Sequence, residues 1–211
     1  MLHRTLLNLQ TKSMKVNRQI IYFIIIILLG SCNSGNEEKD SNNVISHKLF
    51  QLENRGWKSQ RITHFVNDIH YSATEVPNEY YLLKSEGNKN LSRIDSLSKN
   101  HNRERIIEFE FEQINEDDLL KEEYTALDYD KSVTYMASTI SRDFMAVTTK
   151  NDTIPCSGVQ FERHFKVSPF KRVLLYFGNI DPSENIQLIY QDRLFNNGIF
   201  KFKFNELPFK T

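Results

Sequence analysis

The sequence is poor in cysteine, glycine and tryptophan, and it has no apolar run long enough to cross a membrane. Its 211 residues include two cysteines, seven glycines and one tryptophan. The glycines form no phosphate-binding loop of a known type. The longest apolar run without a charge, Ile20–Leu29, is about half of the roughly 20 residues that a membrane-spanning helix needs. These absences argue against a nucleotide-binding loop, a membrane span and a disulfide framework.

Neither sign of charge is in excess over the whole chain, which has 27 basic and 27 acidic residues. The segment before Cys32 holds four of the basic residues (Arg4, Lys12, Lys15 and Arg18) and no acidic residue, so the rest has 23 basic against 27 acidic residues, a net charge of −4. Nucleic-acid binding depends on basic side chains that contact phosphates. We therefore expect no nucleic-acid partner.

The short apolar run has a basic start and ends next to a cysteine. Lys15 and Arg18 precede the run, and the residues Leu29-Gly30-Ser31-Cys32 close it. A basic start followed by a short apolar core is typical of a signal peptide. The four closing residues, an aliphatic residue and two small residues before cysteine, resemble the lipobox of bacterial lipoproteins. The resemblance covers only the segment from Met14 to Cys32.

This resemblance implies how the chain is processed and where it lives. Residues 1–31 are then a signal peptide, with Met14 a more compact start than Met1, and the sulfur of Cys32 carries diacylglycerol in a palmitate-bearing lipoprotein. The lipid would hold the protein on the outer membrane, either in the periplasm or on the cell surface. Two acyl chains suffice for stable anchoring, whereas one binds only marginally.

The residues after the cysteine are polar and predict a flexible tether over 32–45, followed by one domain over 46–211. Acidic residues in the tether resemble the surface-export signals of Bacteroidota lipoproteins, and a soluble linker explains them equally well. These residues are Glu37, Glu38 and Asp40.

Alternating apolar and polar residues predict that the domain is rich in β-strands. In Arg105–Gln113, isoleucine and phenylalanine alternate with glutamate, which predicts a strand with one apolar face and one wet acidic face. Val159–Val167 also alternates, and the continuous apolar run Val173–Phe177 predicts a central strand. Further strands are predicted at Leu49–Leu52, Arg61–Val66, Ile69–Ala73, Tyr80–Leu83, Val133–Ile140, Phe144–Thr149 and Ile186–Tyr190.

The clearest turn signal is Asn196-Asn197-Gly198, which predicts a hairpin into a last strand. That strand would place three phenylalanines on one face and Lys201 and Lys203 on the other, where lysines protect an edge strand from pairing with another molecule. Helices are predicted at Asn90–Ser98 and Asn115–Leu127. Together these elements predict a mainly β fold, an antiparallel β-sandwich of immunoglobulin-like or jelly-roll-like type with one or two short helices.

Arg163 and His164 form the most unusual local string, because Arg163 interrupts the apolar face of its predicted strand. A buried arginine needs a carboxylate or carbonyl partner, for which Asp192 or Asp143 are candidates. In the functional interpretation, Arg163 and His164 bind an anionic ligand. In the structural interpretation, Arg163 lies on an edge strand with its aliphatic stem over phenylalanines.

Other chemistry-bearing residues are sparse. His64 and His70 meet only if Asn67-Asp68 forms a turn, and no Cys or His spacing matches a zinc site, so we expect no metal and no cofactor. Cys156, with no disulfide partner if Cys32 is lipidated, is interpreted as a small buried side chain.

Three hypotheses about function follow. The first is a lipid-anchored, non-enzymatic module that binds an envelope protein or polysaccharide. The second is a small envelope hydrolase that uses Asp128 or Asp130 with His164. The third is an inhibitor or immunity-type lipoprotein. Aromatic residues near turns, Trp57 and Tyr80-Tyr81, are numerous enough for sugar stacking, although aromatics in small β domains mostly form the core.

Overall fold

The computed structural model describes residues 61–86, 91–115, 117–163 and 169–205. The strands in these residues are β1 (Ile62–Val66), β2 (Ile69–Val76), β3 (Arg105–Gln113), β4 (Phe144–Thr148), β5 (Thr153–Pro155), β6 (Gly158–Glu162), β7 (Phe170–Phe177), β8 (Ile186–Asp192) and β9 (Gly198–Lys203). The helices are α1 (Asn78–Glu86), α2 (Leu91–Asn100), α3 (Glu122–Thr125), α4 (Tyr129–Ala137) and a 3₁₀ helix, Thr139–Asp143.

The strands form two antiparallel sheets that pack face to face. The five-stranded sheet has the order β1-β2-β3-β7-β6, and the four-stranded sheet has the order β5-β4-β8-β9. Aromatic rings from both sheets meet between them: the Phe109 ring lies 4.9 Å from that of Phe144 and 5.2 Å from that of Phe202. The rings of Tyr71 and Phe200 stack at 4.4 Å. The predicted antiparallel β-sandwich is therefore confirmed.

Most of the strands predicted within the described residues are confirmed. β3 has the predicted bounds, and β7 contains Val173–Phe177 in an interior position of its sheet. β6 covers the first half of Val159–Val167, and residues 164–168 and the predicted strand Leu49–Leu52 lie outside the described residues. The other confirmed strands correspond to Arg61–Val66, Ile69–Ala73, Phe144–Thr149 and Ile186–Tyr190.

Two tight turns with positive backbone φ join neighbouring strands. Asn67 (φ 49°) and Asp68 (φ 62°) connect β1 to β2, and Asn196 (φ 60°) and Gly198 (φ 95°) lie in the connection from β8 to β9. Asparagine, aspartate and glycine tolerate this conformation better than other residues. The predicted last hairpin is confirmed.

The sides of β9 differ as predicted. Its phenylalanines Phe200 and Phe202 are buried, whereas Lys201 and Lys203 are exposed. Because β9 is at the edge of the four-stranded sheet, its lysines lie where they protect an edge from pairing.

Two predicted strands are wrong, because Tyr80–Leu83 lies in α1 and Val133–Ile140 lies in α4 and the 3₁₀ helix. The Asp128 carboxylate accepts a hydrogen bond from the Lys131 N–H at 2.8 Å and caps α4. This cap and the burial of Met136 outweigh the strand preference of the β-branched residues, since such preferences are weak beside packing.

The N-terminal helix pair has a small apolar cluster of its own. Pro77 ends β2, and its carbonyl accepts a hydrogen bond from the Tyr80 N–H at 3.1 Å in the first turn of α1. Leu83 of α1, Ile94 of α2 and Val76 of β2 are buried against one another. The apolar residues that suggested a strand at Tyr80–Leu83 instead hold this helix pair against one end of the five-stranded sheet.

The helix prediction Asn90–Ser98 is confirmed by α2 from Leu91 onward, whereas the described residues of Asn115–Leu127 contain only the single turn α3. The Asp118 carboxylate accepts a hydrogen bond from the Leu120 N–H at 3.2 Å. Such local bonds between side chain and backbone compete with helix formation. The described residues contain no helix that combines the length and apolar character required to cross a bilayer.

Candidate ligand groove

Alternate residues of β3 face opposite sides of the five-stranded sheet. Phe109 and Phe111 point into the sandwich, on the side that we call the inner face, while Glu108 and Glu110 lie on the opposite side, the outer face. The expectation of a wet acidic face is wrong, because Glu108 and Glu110 are only 6% and 5% exposed. Other residues cover them, and these residues build the candidate site.

Glu110 is at the centre of a network of ion pairs. Arg172, its cross-strand partner on β7, donates to the Glu110 carboxylate from Nε at 2.8 Å and from Nη2 at 2.5 Å. Arg61 contacts the same carboxylate at 2.6 Å, and Arg172 Nη1 reaches Glu162 of β6 at 3.2 Å. Such pairing is required, since a buried unpaired carboxylate is unfavourable.

Glu108 is covered from above by α1. The hydroxyl of Tyr81 donates a hydrogen bond to the Glu108 carboxylate at 2.5 Å. Burial, and then the proximity of Glu108, raise the pKa of Tyr81 above its ordinary value. Tyr81 therefore stays protonated and acts as a hydrogen-bond donor at physiological pH.

Beside Tyr81 lies an open groove of about 450 Å³ between α1, the start of β3 and the strands β6 and β7. We call it the ligand groove. Its floor is formed by the buried Ile106 and Leu174, and Tyr81 and Tyr176 line it from α1 and β7. Its size falls within the range of small-molecule sites.

Polar side chains surround this apolar floor. The Tyr176 hydroxyl donates to Oε1 of Gln160 at 3.2 Å, and the ammonium of Lys84 lies 5.8 Å from the centre of the Tyr81 ring. On the remaining side, Nδ1 of His101 lies 2.8 Å from the Glu104 carboxylate. The groove thus combines an apolar floor with a rim of amide, carboxylate, imidazole and ammonium groups.

A second concavity of about 410 Å³ lies on the same outer face, near the β1–β2 hairpin. Its lining is mainly polar and includes Arg61, His70 and Glu112. The hydroxyls of Thr63 and Ser72 pair with each other across it at 2.9 Å. Because it lacks a substantial apolar floor, it is the weaker candidate for a ligand site.

The predicted pair Arg163 and His164 is only partly described. Arg163 is exposed just beyond the end of β6, and His164 lies outside the described residues. Burial raises the pKa of Tyr129, and the positive charge of Arg163 opposes this shift. A ligand-binding role for Arg163 and His164 stays a prediction.

Asp192, one suggested partner of Arg163, serves as a buried structural centre. Its carboxylate accepts hydrogen bonds from the hydroxyls of Tyr71 and Tyr190, each at 2.9 Å. It also accepts from the N–H groups of Phe195 and Asn197 at the β8–β9 turn. Burial is the largest cause that raises the pKa of Tyr190 above its ordinary value, and the nearby Asp192 carboxylate raises it further.

Asp143, the other suggested partner, is also buried. Its carboxylate accepts hydrogen bonds from Tyr135 and from Arg193, the latter at 3.0 Å. Burial is the largest influence on Asp143 and raises the pKa of its carboxyl group.

His64 and His70, which could meet only through a turn at Asn67-Asp68, are kept apart. The turn at Asn67-Asp68 forms, but His64 is paired with Tyr71 and His70 with Phe65, so the two imidazoles lie on opposite faces of the sheet. Within the part of the chain that the structure describes, no three His, Cys, Asp or Glu residues are arranged to hold a metal ion.

The carboxylates considered for hydrolysis have structural contacts. Asp128 caps α4 and contacts the Lys131 ammonium at 2.6 Å, which lowers the pKa of Asp128. Asp130 lies in the first turn of the same helix, on its exposed side.

Cys156, interpreted from the sequence as a small buried side chain, is half-buried. Its thiol contacts the Gly158 carbonyl at 3.0 Å, and burial raises the pKa of the thiol.

Sequence reasoning noted Tyr81 but missed Tyr176, Gln160 and Glu104. Tyr176 was hidden within the apolar run of β7, where one tyrosine looks like another core residue. The available signal was the pairing of Tyr176 with its neighbours across the sheet. Tyr176 lies opposite Ile106 and Gly158, and a glycine beside an aromatic leaves the ring accessible.

Cys32 and Trp57 lie outside the described residues.

Comparisons with known proteins place the chain in no family. No family model and no curated protein matches the chain. A crystal structure of a DUF4426 family protein from Pseudomonas aeruginosa PAO1 resembles it with a TM-score of 0.41 and 9% sequence identity, covering 74% of this chain and 98% of that chain. A similarity of this size carries no argument about function, which must rest on the residues themselves.

Proposed function

We propose that this protein is an exported lipoprotein, anchored to the outer membrane through Cys32, whose β-sandwich binds an envelope component in the ligand groove without catalysing a reaction. The observation that carries the binding role is the groove itself. It combines a concave apolar floor with two tyrosines and a polar rim, which is the usual composition of a ligand site.

The charged groups around the groove favour binding over catalysis. Glu108 is bonded to Tyr81, Glu162 to Arg172 and Glu104 to His101. A general acid or base has to exchange a proton with the substrate, and it usually has a pKa tuned toward the working pH. Glu108 and Glu162 are instead held by Tyr81 and Arg172, and these pairs help to keep the groove in shape.

The anchor rests on the sequence Leu29-Gly30-Ser31-Cys32 and on the apolar run before it. Each methylene that enters the bilayer contributes about 0.8 kcal/mol, and stable attachment requires two chains. Diacylglycerol supplies both chains at a single cysteine. The tether over 32–45 then separates the domain from the membrane surface.

The anchor is tested by matched cysteine substitutions in the full chain. Cys32→Ala should abolish labelling with radioactive palmitate and release the protein from sedimented membranes. Cys156→Ala is the control, since it removes the other cysteine of the chain and should change neither result. Unaltered sedimentation of Cys32→Ala, or absence of palmitate from the wild type, would overturn the proposal.

The binding role is tested by filling the groove. Gln160 is an exposed rim residue on the edge strand β6, so Gln160→Trp should obstruct the groove with little disturbance of the core. Affinity capture from solubilised envelopes should lose its principal component with Gln160→Trp and keep it with Phe65→Trp, an exposed site elsewhere on the outer face. Equal capture by both variants would place binding outside the groove.

A further inference from the structure

We infer that the ligand groove takes a short segment of an uncharged glycan, with a sugar ring packed against Tyr176 and its hydroxyls bonded to the rim. This inference rests on the proposed binding function and adds the chemical class of the ligand.

The floor and walls of the groove suit the apolar side of a sugar ring. Ile106 and Leu174 provide an aliphatic floor, and Tyr81 and Tyr176 add aromatic rings. A pyranose has C–H groups on its faces and hydroxyls around its edge. Tyrosine has a matching character, since its ring is apolar and its hydroxyl is polar.

Charge balance at the rim favours a neutral ligand. Glu162 is paired with Arg172, Glu104 with His101, and the ammonium of Lys84 lies over the ring of Tyr81. Groups of both signs lie at the opening, with Lys84 and Glu104 both lining it and with Arg172 paired to Glu162, so no strong field of one sign remains to attract an ion. A neutral molecule with many hydroxyls can bond to both kinds of group.

The rim also has hydrogen-bonding capacity that a sugar can use. Oε1 of Gln160 accepts from Tyr176, and the amide NH₂ of Gln160 donates to no group among the described residues. The Tyr81 hydroxyl donates to Glu108, which leaves its oxygen able to accept a hydrogen bond. An acyl chain would desolvate these groups without bonding to them, which is unfavourable.

The experiment uses the full-length lipoprotein in detergent micelles on an array of neutral and acidic oligosaccharides, followed by calorimetric titration with the neutral oligosaccharide that gives the strongest signal. Wild type should bind neutral glycans in preference to acidic ones. Tyr176→Ala should weaken binding at least tenfold, whereas Tyr176→Phe, which keeps the ring, should stay within threefold of wild type. Gln160→Ala should weaken binding several-fold.

Phe65→Ala is the matched control, because Phe65 is an exposed aromatic on the outer face beyond the groove. It should leave the affinity unchanged. Thermal unfolding of every variant identifies any loss of binding caused by misfolding, and Tyr176→Phe, with its ring retained, gives a folded reference for the same position.

Several results would overturn the inference. These are failure of every neutral glycan to bind, equal binding by Tyr176→Ala and wild type, or preferential binding of a fluorescent fatty acid or an envelope peptide in the groove. The proposed function fails separately: it falls if Cys32 is not lipidated or if filling the groove leaves envelope capture intact. Lipidation and groove-dependent capture without glycan binding would refute the ligand class alone.

Discussion

Strand β3 of the five-stranded sheet is buried on both of its faces, but by different means. On the inner face, Phe109 and Phe111 contact aromatic rings of the other sheet, Tyr190 and Phe202 for Phe109 and Tyr190 for Phe111. On the outer face, Glu108 and Glu110, which alternate with them along β3, are covered by a tyrosine and two arginines. One strand thus buries phenylalanine on one side and carboxylate on the other.

The comparison indicates that stability and function are divided between the faces. Apolar burial is favourable by itself, at about 1.5–3 kcal/mol for a large side chain, whereas a buried ion pair often contributes less than an apolar pair of the same shape. The buried ion pairs of the outer face are therefore expected to contribute little to the free energy of folding. Its paired charges instead fix the walls of the ligand groove, which is what a binding surface requires.

The largest effect is expected on the inner face. Phe109→Ala should lower the free energy of unfolding by about 3–5 kcal/mol, because it removes buried apolar area and leaves a cavity between the sheets. Phe109 has no exposed surface and contacts rings from both sheets. Urea denaturation measures the change, with exposed Phe65→Ala as the control. A loss below about 1 kcal/mol would show that the inner face is not the main core.

A smaller loss of stability is expected from a single substitution on the outer face, and a double substitution should restore most of it. Arg172→Ala should destabilise the protein by about 2 kcal/mol, because it leaves Glu110 with Arg61 as its remaining arginine partner. Replacing the pair together, Glu110→Leu with Arg172→Met, should bring stability back to within about 1 kcal/mol of wild type. If the double variant were less stable than Arg172→Ala, the outer face would be a stabilising element and the division between faces would fail.

The sequence predicted the inner face better than the outer one, and the reason is physical. Alternation along β3 shows which residues share a face, and phenylalanines on a shared face have few alternatives to a core. Whether Glu108 and Glu110 meet water depends on Tyr81, Arg61 and Arg172, which come from distant parts of the chain. Nothing local to Arg105–Gln113 encodes that cover.

The helices show the same limit. The residues of α1, with two tyrosines and two leucines in succession, match a strand as well as a helix when read alone. Pro77 and the packing of Leu83 against Ile94 decide for a helix. Because the ligand groove forms only once α1 lies over the sheet, its position could not be read from the sequence, although Tyr81 could be singled out.

A third prediction concerns the ion pair where the inner face reaches its edge. Asp118 is 3.1 Å from the ammonium of Lys171, a β7 residue opposite Phe111. Burial raises the pKa of Asp118, but hydrogen bonds from the Leu120 N–H and from Lys171 outweigh it, so the net pKa is below the ordinary 3.8. A depressed carboxyl pKa stabilises the fold at pH values above 3.8, and this contribution disappears as pH falls below it.

Asp118→Asn should therefore lower the free energy of unfolding by about 1 kcal/mol at pH 6 and have a smaller effect at pH 3. Urea denaturation at both values measures the difference. Asp130→Asn, at an exposed position of α4, is the control and should change little at either pH. An effect of Asp118→Asn that grew on acidification would contradict the assigned direction.

The smallest effect on stability is expected at the edge strand β9, which repeats the contrast between faces in the other sheet. Its phenylalanines are buried, and its lysines Lys201 and Lys203 are exposed. Replacing both lysines with valine should alter the free energy of unfolding by no more than about 0.5 kcal/mol. It should nevertheless promote self-association, because an apolar edge strand invites pairing with a second molecule. Sedimentation velocity measures this, with exposed Lys150→Val as the control. If the double variant stayed as monomeric as that control, the lysines would have no protective role, and the polar side of β9 would serve solubility alone.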